Sequence, residues 1–397
     1  MKLKSLRTAK IGKGTRVVLR ADFNVAMEGG RIRDDWRMTR TLPTISRLLR
    51  QGARLTVLSH LGRPEGKRLA SASLAPVARH LSELLRMPVA FSRDCVGPAA
   101  LRTTAALAPG HVALLENLRF HKEEEKNDTA FAKQLASLAD IFVQDAFGTV
   151  HRAHASTEGI AHDLPAYAGF LVEKELKFLG DALTNPKKPF VAIIGGAKIS
   201  GKLEVLKNLL DKVDTLIIGG GMAYTFFKAR GISVGTSIVE DELIGEAKEI
   251  LKAAIDKNVP LLLPIDHVVA DKFDANANIQ VVPRTTIPEG WQGMDIGPET
   301  VIKFSNAIKD AKTIVWNGPM GVFEFDKFAV GTIAIAKAVA EATKNGAVSI
   351  IGGGDSASAV KKAGVADQMT HISTGGGASL EFLEGKVLPG VACLLDK

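Results

Sequence analysis

Residues 347–356, Ala-Val-Ser-Ile-Ile-Gly-Gly-Gly-Asp-Ser, contain the pattern that decides the fold. A β-branched apolar run ends in three glycines, and the next residues, Ala-Ser-Ala-Val-Lys-Lys at 357–362, predict a helix. Glycines let the backbone approach an anion closely, and the first free amides of a helix point toward it. Asp355 adds a carboxylate where a phosphate-bound magnesium ion needs an oxygen ligand. This strand, turn and helix start together predict a phosphate site.

The same pattern is repeated directly downstream, at residues 369–383, where an apolar segment leads into Gly375, Gly376 and Gly377. Either turn alone would be interpreted as an ordinary tight connection between a strand and a helix. Two neighbouring glycine-rich helix starts, together with Asp355, favour a polyphosphate that is bound between them.

Length and composition predict a soluble protein of two domains. The chain has 397 residues, of which 46% are hydrophobic and 24% are charged. No apolar run reaches the roughly 18 residues of a membrane span, and the charged first residues do not resemble a signal peptide. Cys95 and Cys393 are too few for a disulfide framework or a cysteine metal cluster. We therefore expect a cytoplasmic protein without a membrane partner.

The positive charge is concentrated in the first part of the chain. The net charge is +8, and residues 1–180 hold 28 Lys and Arg against 18 Asp and Glu, whereas the remainder holds 23 against 25. A basic first half indicates either a nucleic acid or an acidic small substrate. For many of the scattered arginines, a solvated surface position is the simpler interpretation.

Strands and helices alternate along the chain, which predicts doubly wound parallel sheets of the α/β class. Ligands of such sheets bind beyond the carboxyl ends of the strands. In the first half these ends carry polar and charged side chains, namely Arg20, Asp22, Asn24, His60, Arg63, Asn117, Arg119 and Asp145. Because arginine binds phosphate and carboxylate through paired hydrogen bonds, this set predicts a site for a small, multiply negative molecule.

A proline-rich segment separates the two halves. Residues 184–189, Thr-Asn-Pro-Lys-Lys-Pro, follow a helix predicted at 173–183, and their two prolines indicate a domain boundary. A second series of strands is then predicted at 190–194, 215–218, 260–263, 313–316, 348–351 and 370–373, and glycines follow nearly every one of them. Glycine at these positions is typical of a nucleotide-binding surface.

Two nucleotide motifs are incomplete. Residues 196–203 nearly match the P-loop spacing but end at Leu203, where a serine or threonine would bind magnesium. Lys198 and Lys202 lie four residues apart at the predicted helix start, on one face, where they can meet a polyphosphate. Residues 352–357 fit a loose dinucleotide fingerprint, but no acidic residue follows at the spacing that holds a ribose.

Other polar groups favour simpler interpretations. The acidic run at residues 123–125 predicts a solvated face or a helix start. Five histidines lack the spacing of metal ligands and are interpreted as non-metal: His121, His151, His154, His162 and His267. His60, at a strand end among arginines, is the exception for which we expect a functional role.

In the order in which they occur, these segments resemble phosphoglycerate kinases over nearly the whole chain. The specific segments are Arg-Ala-Asp-Phe-Asn-Val at 20–25, Ser-His-Leu-Gly-Arg-Pro at 59–64, Leu-Glu-Asn-Leu-Arg-Phe at 115–120, Asp-Ala-Phe-Gly-Thr at 145–149, Trp-Asn-Gly-Pro-Met-Gly-Val-Phe-Glu at 316–324, and the two glycine loops. Two alternatives are less favoured. One is a nicotinamide-dependent dehydrogenase, and the other is a basic nucleic-acid-binding protein, whose cations would be interleaved with stacking aromatic residues.

The resemblance implies two Rossmann-like, doubly wound parallel-sheet domains that are joined by a hinge helix and face a central cleft. The basic, phosphoglycerate-binding domain would comprise residues 1–172 and a returning segment at 380–397. A hinge helix and linker would occupy 173–188, and the nucleotide-binding domain 189–379. The implied reaction is reversible, Mg²⁺-dependent phosphoryl transfer between 1,3-bisphosphoglycerate and ADP, which gives 3-phosphoglycerate and ATP. The family is usually monomeric, and no nucleic-acid partner is expected.

The resemblance also assigns site residues by their positions in the matching segments. The substrate-binding set is Asp22, Phe23, Asn24, Arg37, His60, Leu61, Gly62, Arg63, Arg119 and Arg152. The nucleotide-binding set is Gly196, Ala197, Lys198, Lys202, Gly293, Asn317, Pro319, Glu324, Gly353, Gly354, Asp355 and Ser356, with Asp355 as the magnesium ligand. The catalytic set is Arg37, Lys198, Gly375 and Gly376, the two glycines acting through their backbone amides.

Overall fold

Two parallel six-stranded sheets organise residues 2–396, the part of the chain that the computed structural model describes. The chain divides into two compact units: unit 1 is Met1–Lys177 with Val387–Lys397, and unit 2 is Phe178–Lys386. Each unit holds one of the parallel sheets, with helices between its strands. The predicted α/β class with two parallel-sheet domains is confirmed.

Unit 1 alternates strands and helices as the sequence pattern predicts. Its strands are β1 Arg16–Arg20, β2 Met27–Glu28, β3 Arg31–Ile32, β4 Arg54–Leu58, β5 Val89–Ser92, β6 Val112–Leu115, β7 Ile141–Gln144 and β8 Ala166–Ala168. Its helices up to the division are α1 Trp36–Arg50, α2 Ala75–Leu85, α3 Gly97–Ala105, α4 Lys122–Glu125, α5 Thr129–Ala136 and α6 Phe170–Thr184. The sheet has the order β5-β6-β4-β1-β7-β8, and β2 and β3 form a separate hairpin. The division between the units falls within α6.

The core of unit 1 lies between its sheet and α1. Val17 and Leu19 of β1 are fully buried, because a parallel sheet is covered on both faces. Ile45 and Leu48 of α1 belong to the same core. Pro43 lies well inside α1, where it lacks the amide that would donate the usual helical hydrogen bond.

Unit 2 continues the alternation. Its strands are β9 Phe190–Ile194, β10 Thr215–Ile218, β11 Leu261–Leu262, β12 Asp266–Ala270, β13 Ile279–Pro283, β14 Gln292–Ile296, β15 Thr313–Asn317, β16 Val348–Gly352 and β17 His371–Ile372. Its helices are α7 Leu203–Leu210, α8 Met222–Ala229, α9 Ile244–Asp256, α10 Pro298–Lys309, α11 Val330–Lys344, α12 Gly354–Lys362 and α13 Gly376–Leu383. The parallel sheet has the order β11-β10-β9-β15-β16-β17.

The sequence pattern did not predict a second sheet in unit 2. β12 pairs in antiparallel fashion with β13 on one side and β14 on the other. The residues of β14, Gln-Gly-Met-Asp-Ile, include poor strand formers, and β13 is mostly exposed. Pairing with β12 therefore determines these strands more than their own propensity does.

The C-terminal residues return to unit 1. The short helix α14 Pro389–Ala392 places the amide of Gly390 2.8 Å from the carbonyl oxygen of Val150. Leu394 is fully buried, and the amide of Lys4 donates to its carbonyl oxygen at 2.8 Å. Among residues 2–396, no helix combines the length and the apolar character that crossing a bilayer requires.

Candidate active site

At the carboxyl edge of the unit 1 sheet, direct contacts link five of the predicted residues to one another. Arg37, in the first turn of α1, donates to the carbonyl oxygen of Asn24 at 3.0 Å and lies 3.4 Å from the carboxylate of Asp22. The side-chain oxygen of Asn24 accepts from the amide of Gly62 at 2.9 Å. Arg119 donates to the carbonyl oxygen of Gly62 at 2.9 Å. The segments that follow β1, β4 and β6 are thereby held together.

Further arginines make this edge strongly positive. Burial lowers the pKa of Arg119, Glu125 opposes the shift, and the charges of Arg152 and Arg63 add to it. Arg63 and Arg152 are exposed, so the positive groups can reach a ligand. A small anion would relieve the repulsion between these cations, which is the electrostatic property expected of a site for a small, multiply negative molecule.

His60 is neutral in this surrounding. Burial and then the charges of Arg20, Arg119 and Arg37 hold the pKa of its imidazole well below its usual range. A neutral imidazole has one nitrogen that donates and one that accepts. His60 is therefore suited to hydrogen bonding rather than to charge pairing.

Two residues of the predicted substrate set present no side chain to a polar ligand. Phe23 is completely buried in the unit 1 core, and its amide donates to the hydroxyl of Ser59 at 2.9 Å. Leu61 is 5% exposed and packs in the same core. Both residues fix the loops that carry the polar groups.

Residues 123–125 lie in the first turn of α4, which confirms the helix start that was one of the two predictions for them, but the other, a solvated face, is wrong for Glu124. Its side chain is completely buried, whereas Glu123 and Glu125 are exposed. Three consecutive glutamates give no hydrophobic periodicity, so the sequence could not tell which of them faces inward.

In unit 2, the two predicted glycine-rich helix starts lie side by side. Gly353, with φ of 91°, precedes α12, and α13 begins at Gly376. A β-carbon on Gly376 would lie 3.5 Å from both the Cα of Gly353 and the nitrogen of Gly354. The free amides and the positive dipole ends of two helices therefore converge, which suits a polyphosphate.

A cavity of about 620 Å³ lies in unit 2 and is lined by six of the predicted nucleotide-binding residues: Gly196, Ala197, Gly293, Pro319, Glu324 and Asp355. A β-carbon on Gly293 would meet the hydroxyl of Tyr224, so only glycine fits there. The hydroxyl of Tyr224 lies 3.2 Å from Nδ1 of His267. Tyr224, His267 and Asp295 also line the cavity. Sequence reasoning missed His267 and Asp295 because the strands that carry them, β12 and β14, were not predicted, whereas Tyr224 lies on the helix α8, outside the segments that carried the resemblance.

The positions of Lys202 and Lys198 relative to the helix differ from the prediction. Because α7 begins at Leu203, Lys202 occupies the residue before the helix and Lys198 lies in the preceding turn, so they do not share a helical face. The ammonium of Lys202 donates to the carbonyl oxygens of Gly195 and, at 3.3 Å, Asn317. Burial lowers the pKa of Lys202 to about 8, and the charge of Asp355 opposes this shift. Lys198 is exposed.

The remaining nucleotide-binding candidates surround the helix starts. The hydroxyl of Ser356 accepts from the amide of Gly318 at 2.6 Å, which ties α12 to the loop after β15. Asp355 is exposed in the first turn of α12. One carboxylate beside a phosphate-binding turn fits Mg²⁺, which is usually held by one or two carboxylates together with phosphate oxygens and water.

One group of potential metal ligands was not anticipated. The ligand atoms of Asp94, Cys95 and His121 lie within 4.8 Å of one another in unit 1. Asp94 already accepts from Nε2 of His121 and from Arg68, each at 2.7 Å. These contacts satisfy the carboxylate without a metal.

Comparisons with known proteins agree on one family. The chain matches the phosphoglycerate kinase family over residues 8–386. A phosphoglycerate kinase of Prosthecochloris aestuarii is 59% identical over 386 residues, which are 97% of each chain, and one of Chlorobium phaeobacteroides is 57% identical over 398 residues, which are 100% of each.

Solved structures give the same result. The phosphoglycerate kinase of Coxiella burnetii matches with a TM-score of 0.89 and 46% identity over 99% of both chains. That of Pyrococcus horikoshii matches with a TM-score of 0.86 and 34% identity over 99% of this chain and 98% of the other. The chain therefore belongs to the phosphoglycerate kinase family.

Proposed function

We propose that this enzyme transfers a phosphoryl group reversibly between 1,3-bisphosphoglycerate and ADP, giving 3-phosphoglycerate and ATP, with Mg²⁺ bound to the nucleotide. The observation that carries the proposal is the pair of adjoining helix starts at Gly353 and Gly376, next to a cavity large enough for a nucleoside. Such an arrangement accepts a polyphosphate whose base lies in the cavity. Neither the dehydrogenase nor the nucleic-acid-binding alternative has comparable support.

Unit 1 is proposed to hold the phosphoglycerate. Arg63, Arg119 and Arg152 would bind the phosphate that is not transferred, or the carboxylate, through charge-assisted hydrogen bonds. His60 would donate a hydrogen bond as a neutral group. Asn24, through its contacts with Gly62 and Arg37, would keep the surrounding loops in place.

Unit 2 is proposed to hold the nucleotide. The base would lie in the cavity near Gly293, and the phosphates would lie at the starts of α12 and α13. Asp355 would ligate the magnesium ion, which neutralises phosphate charge when bound. Lys202 lies close enough to Asp355 for their charges to interact, and it would contribute a second positive group near the phosphates.

The chemistry needs no nucleophile or general base from the protein. The attacking group is the carboxylate of 3-phosphoglycerate, which is already deprotonated at neutral pH. Catalysis then consists of positioning and of stabilising the charge on the transferred group. Arg37, Lys198 and the amides of Gly375 and Gly376 are proposed to supply that stabilisation.

A coupled assay tests this function. The enzyme is supplied with ATP, Mg²⁺ and 3-phosphoglycerate, and the acyl phosphate formed is reduced by glyceraldehyde-3-phosphate dehydrogenase while NADH loss is followed. We expect turnover that needs all three components and stops with a chelator. NADH loss that is independent of 3-phosphoglycerate would contradict the proposal.

We also propose that the enzyme acts as a monomer, as the resemblance implies, and in the cytoplasm, as its composition suggests. Sedimentation should give a mass close to the 42.3 kDa of one chain. A stable mass of twice that value would refute the monomer.

A further inference from the structure

A buried acidic residue, Glu124, is connected to His60 of the unit 1 site through two intervening side chains. Glu124 is completely buried, and its two carboxylate oxygens accept from the hydroxyl of Ser156 at 2.6 Å and from the amide of Ser156 at 3.0 Å. Nδ1 of His154 is 3.9 Å from one of these oxygens, beyond hydrogen-bond distance. Ser156 is therefore the hydrogen-bonding partner of this carboxylate.

Ser156 also forms a hydrogen bond with a second buried charged residue, Arg20. Its hydroxyl has one proton, which goes to Glu124, and its oxygen accepts from Nε of Arg20 at 2.9 Å. Arg20 is 1% exposed and also donates to the carbonyl oxygen of Ala21. A buried guanidinium needs a nearby negative charge, and Glu124 is one of two acids that raise the pKa of Arg20, against its burial.

Arg20 in turn determines the state of His60. The terminal nitrogen of the guanidinium lies 3.1 Å from Nδ1 of His60. Because a guanidinium only donates hydrogen bonds, Nδ1 of His60 must accept, and the single proton of the neutral ring must be on Nε2. The groups that face the ring electrostatically are Arg20, Arg119, Arg37 and His154, which all oppose a second proton.

We propose that Glu124 is a positioning residue that, through Ser156 and Arg20, fixes His60 in the tautomer with its proton on Nε2. This inference rests on the proposed function, in which His60 donates a hydrogen bond to phosphoglycerate. Without the Glu124 carboxylate, Arg20 loses one of its two acidic neighbours and Ser156 loses the acceptor that orients its hydroxyl, so Arg20 no longer holds Nδ1 of His60 firmly as an acceptor. The ring can then present a lone pair to an anionic substrate, which repels it.

The direct test is to determine the tautomer of His60 in the ligand-free enzyme. Two-bond ¹H–¹⁵N spectra distinguish protonated from unprotonated imidazole nitrogens, and the His60→Gln spectrum identifies the signals of His60. In the unaltered enzyme we expect an unprotonated Nδ1 and a protonated Nε2. In Glu124→Gln we expect both tautomers, whereas the exposed neighbour in Glu123→Gln should leave the spectrum unchanged.

Kinetics provide a second readout. Loss of one hydrogen bond to a charged substrate should raise KM for 3-phosphoglycerate about tenfold in Glu124→Gln, with KM for Mg-ATP unchanged. Should Glu124→Gln not fold, Ser156→Ala interrupts the same series of contacts by removing one oxygen atom, and the same changes are expected.

A variant that is less stable but keeps the original tautomer and the original ratio of the two KM values would overturn the proposal. So would a proton on Nδ1 in the unaltered enzyme. If the unaltered enzyme does not turn over 3-phosphoglycerate, the proposed function fails instead, and the spectra recorded without substrate still decide the role of Glu124.

Discussion

Gly376 and Gly353 approach each other so closely that a β-carbon on Gly376 would lie 3.5 Å from the Cα of Gly353. Gly353 immediately precedes α12 and Gly376 begins α13, and the parallel pairing of β16 with β17, in which Ile350 lies opposite His371, brings them together. Backbone therefore faces backbone at the point where the phosphates are proposed to bind. A β-carbon on Gly376 would occupy the space between the two helix starts, whereas one on Gly353 would meet the side chain of Asn317 at 3.3 Å.

Gly353→Ala is expected to lower the free energy of unfolding by about 1–3 kcal/mol, because φ of 91° with ψ of 145° is a conformation that residues other than glycine rarely adopt. Gly354→Ala is the matched control, since its β-carbon would meet nothing within 4 Å and alanine favours a helix. Urea unfolding measures both variants. Equal destabilisation by the two substitutions would show that the backbone conformation at Gly353 is not the cause.

Arg37→Ala should lower kcat roughly 100-fold, the typical effect of losing one group that stabilises transition-state charge. Arg63→Ala should mainly raise KM for 3-phosphoglycerate, because it is proposed to bind the substrate equally in the ground and transition states. Steady-state kinetics with each substrate varied in turn separate the two outcomes. If Arg37→Ala changed KM alone, the catalytic role assigned to Arg37 would be wrong.

Asp355→Asn should weaken Mg-ADP binding roughly tenfold, because the substitution removes one of the charges that attract the metal. Binding of 3-phosphoglycerate should stay the same, since its proposed site lies in the other unit. Isothermal titration calorimetry measures both affinities. An unaltered affinity for Mg-ADP with normal turnover would exclude Asp355 as the magnesium ligand.

Asp145 should make the stability dependent on pH. Its Oδ1 accepts from the amides of Leu171 and Val172 at the start of α6, whereas its Oδ2 is buried without a partner. Burial raises the pKa of Asp145 from 3.8 to about 7. Between these values the folded state keeps a proton that the unfolded state has lost, so stability should fall as the pH rises from about 4 to 7.

Asp145→Asn cannot titrate, so it should lose less stability than the unaltered enzyme over this range. As the pH rises, the unfolding free energy of Asp145→Asn should increase relative to that of the unaltered enzyme by a few kcal/mol. Urea unfolding at pH 4.5 and at pH 7.5 provides the comparison. A difference that is constant with pH would mean that Asp145 is ionised throughout.

Binding of both ligands should make the enzyme more compact. The reacting atoms must come within about 3–3.5 Å, and each ligand is proposed to bind in a different unit. One ligand alone gains little from closure, whereas both together favour it. Small-angle X-ray scattering should therefore give a smaller radius of gyration with both ligands than with either alone. We expect closure at residues 171–189, around the predicted hinge helix and linker, with a second hinge near residues 373–380. An unchanged radius when both ligands are shown to be bound would contradict this hinge closure.

The fold was largely predictable because its central strands are apolar and end in glycine. The predicted strands at 190–194 and 215–218 match β9 and β10 residue for residue. The antiparallel strand Gln292–Ile296 could not be predicted, since only its pairing with β12 makes its polar sequence a strand. His267, on β12, was missed as a cavity residue for the same reason.

The directions in which some side chains point could not be predicted from the sequence either. The spacing of Lys198 and Lys202 predicted a shared helical face, but the helix begins after both of them. The sequence around Glu124, a run of three glutamates, is typical of a protein surface. Glu124 is buried because the loop that contains Ser156 packs against it. Contacts between residues distant in sequence decide such cases.

The return of the C-terminal residues to unit 1 determines the order in which the protein is completed during translation. Gly390 binds Val150, at the start of the loop that carries Arg152 and Ser156, and a β-carbon on Gly390 would lie 2.7 Å from Thr157 in the same loop. The ribosome synthesises this loop before unit 2 and its packing partner after unit 2. Unit 2, a single continuous stretch, can fold while synthesis continues, whereas the nascent unit 1 can acquire these contacts only after all of unit 2 has been made.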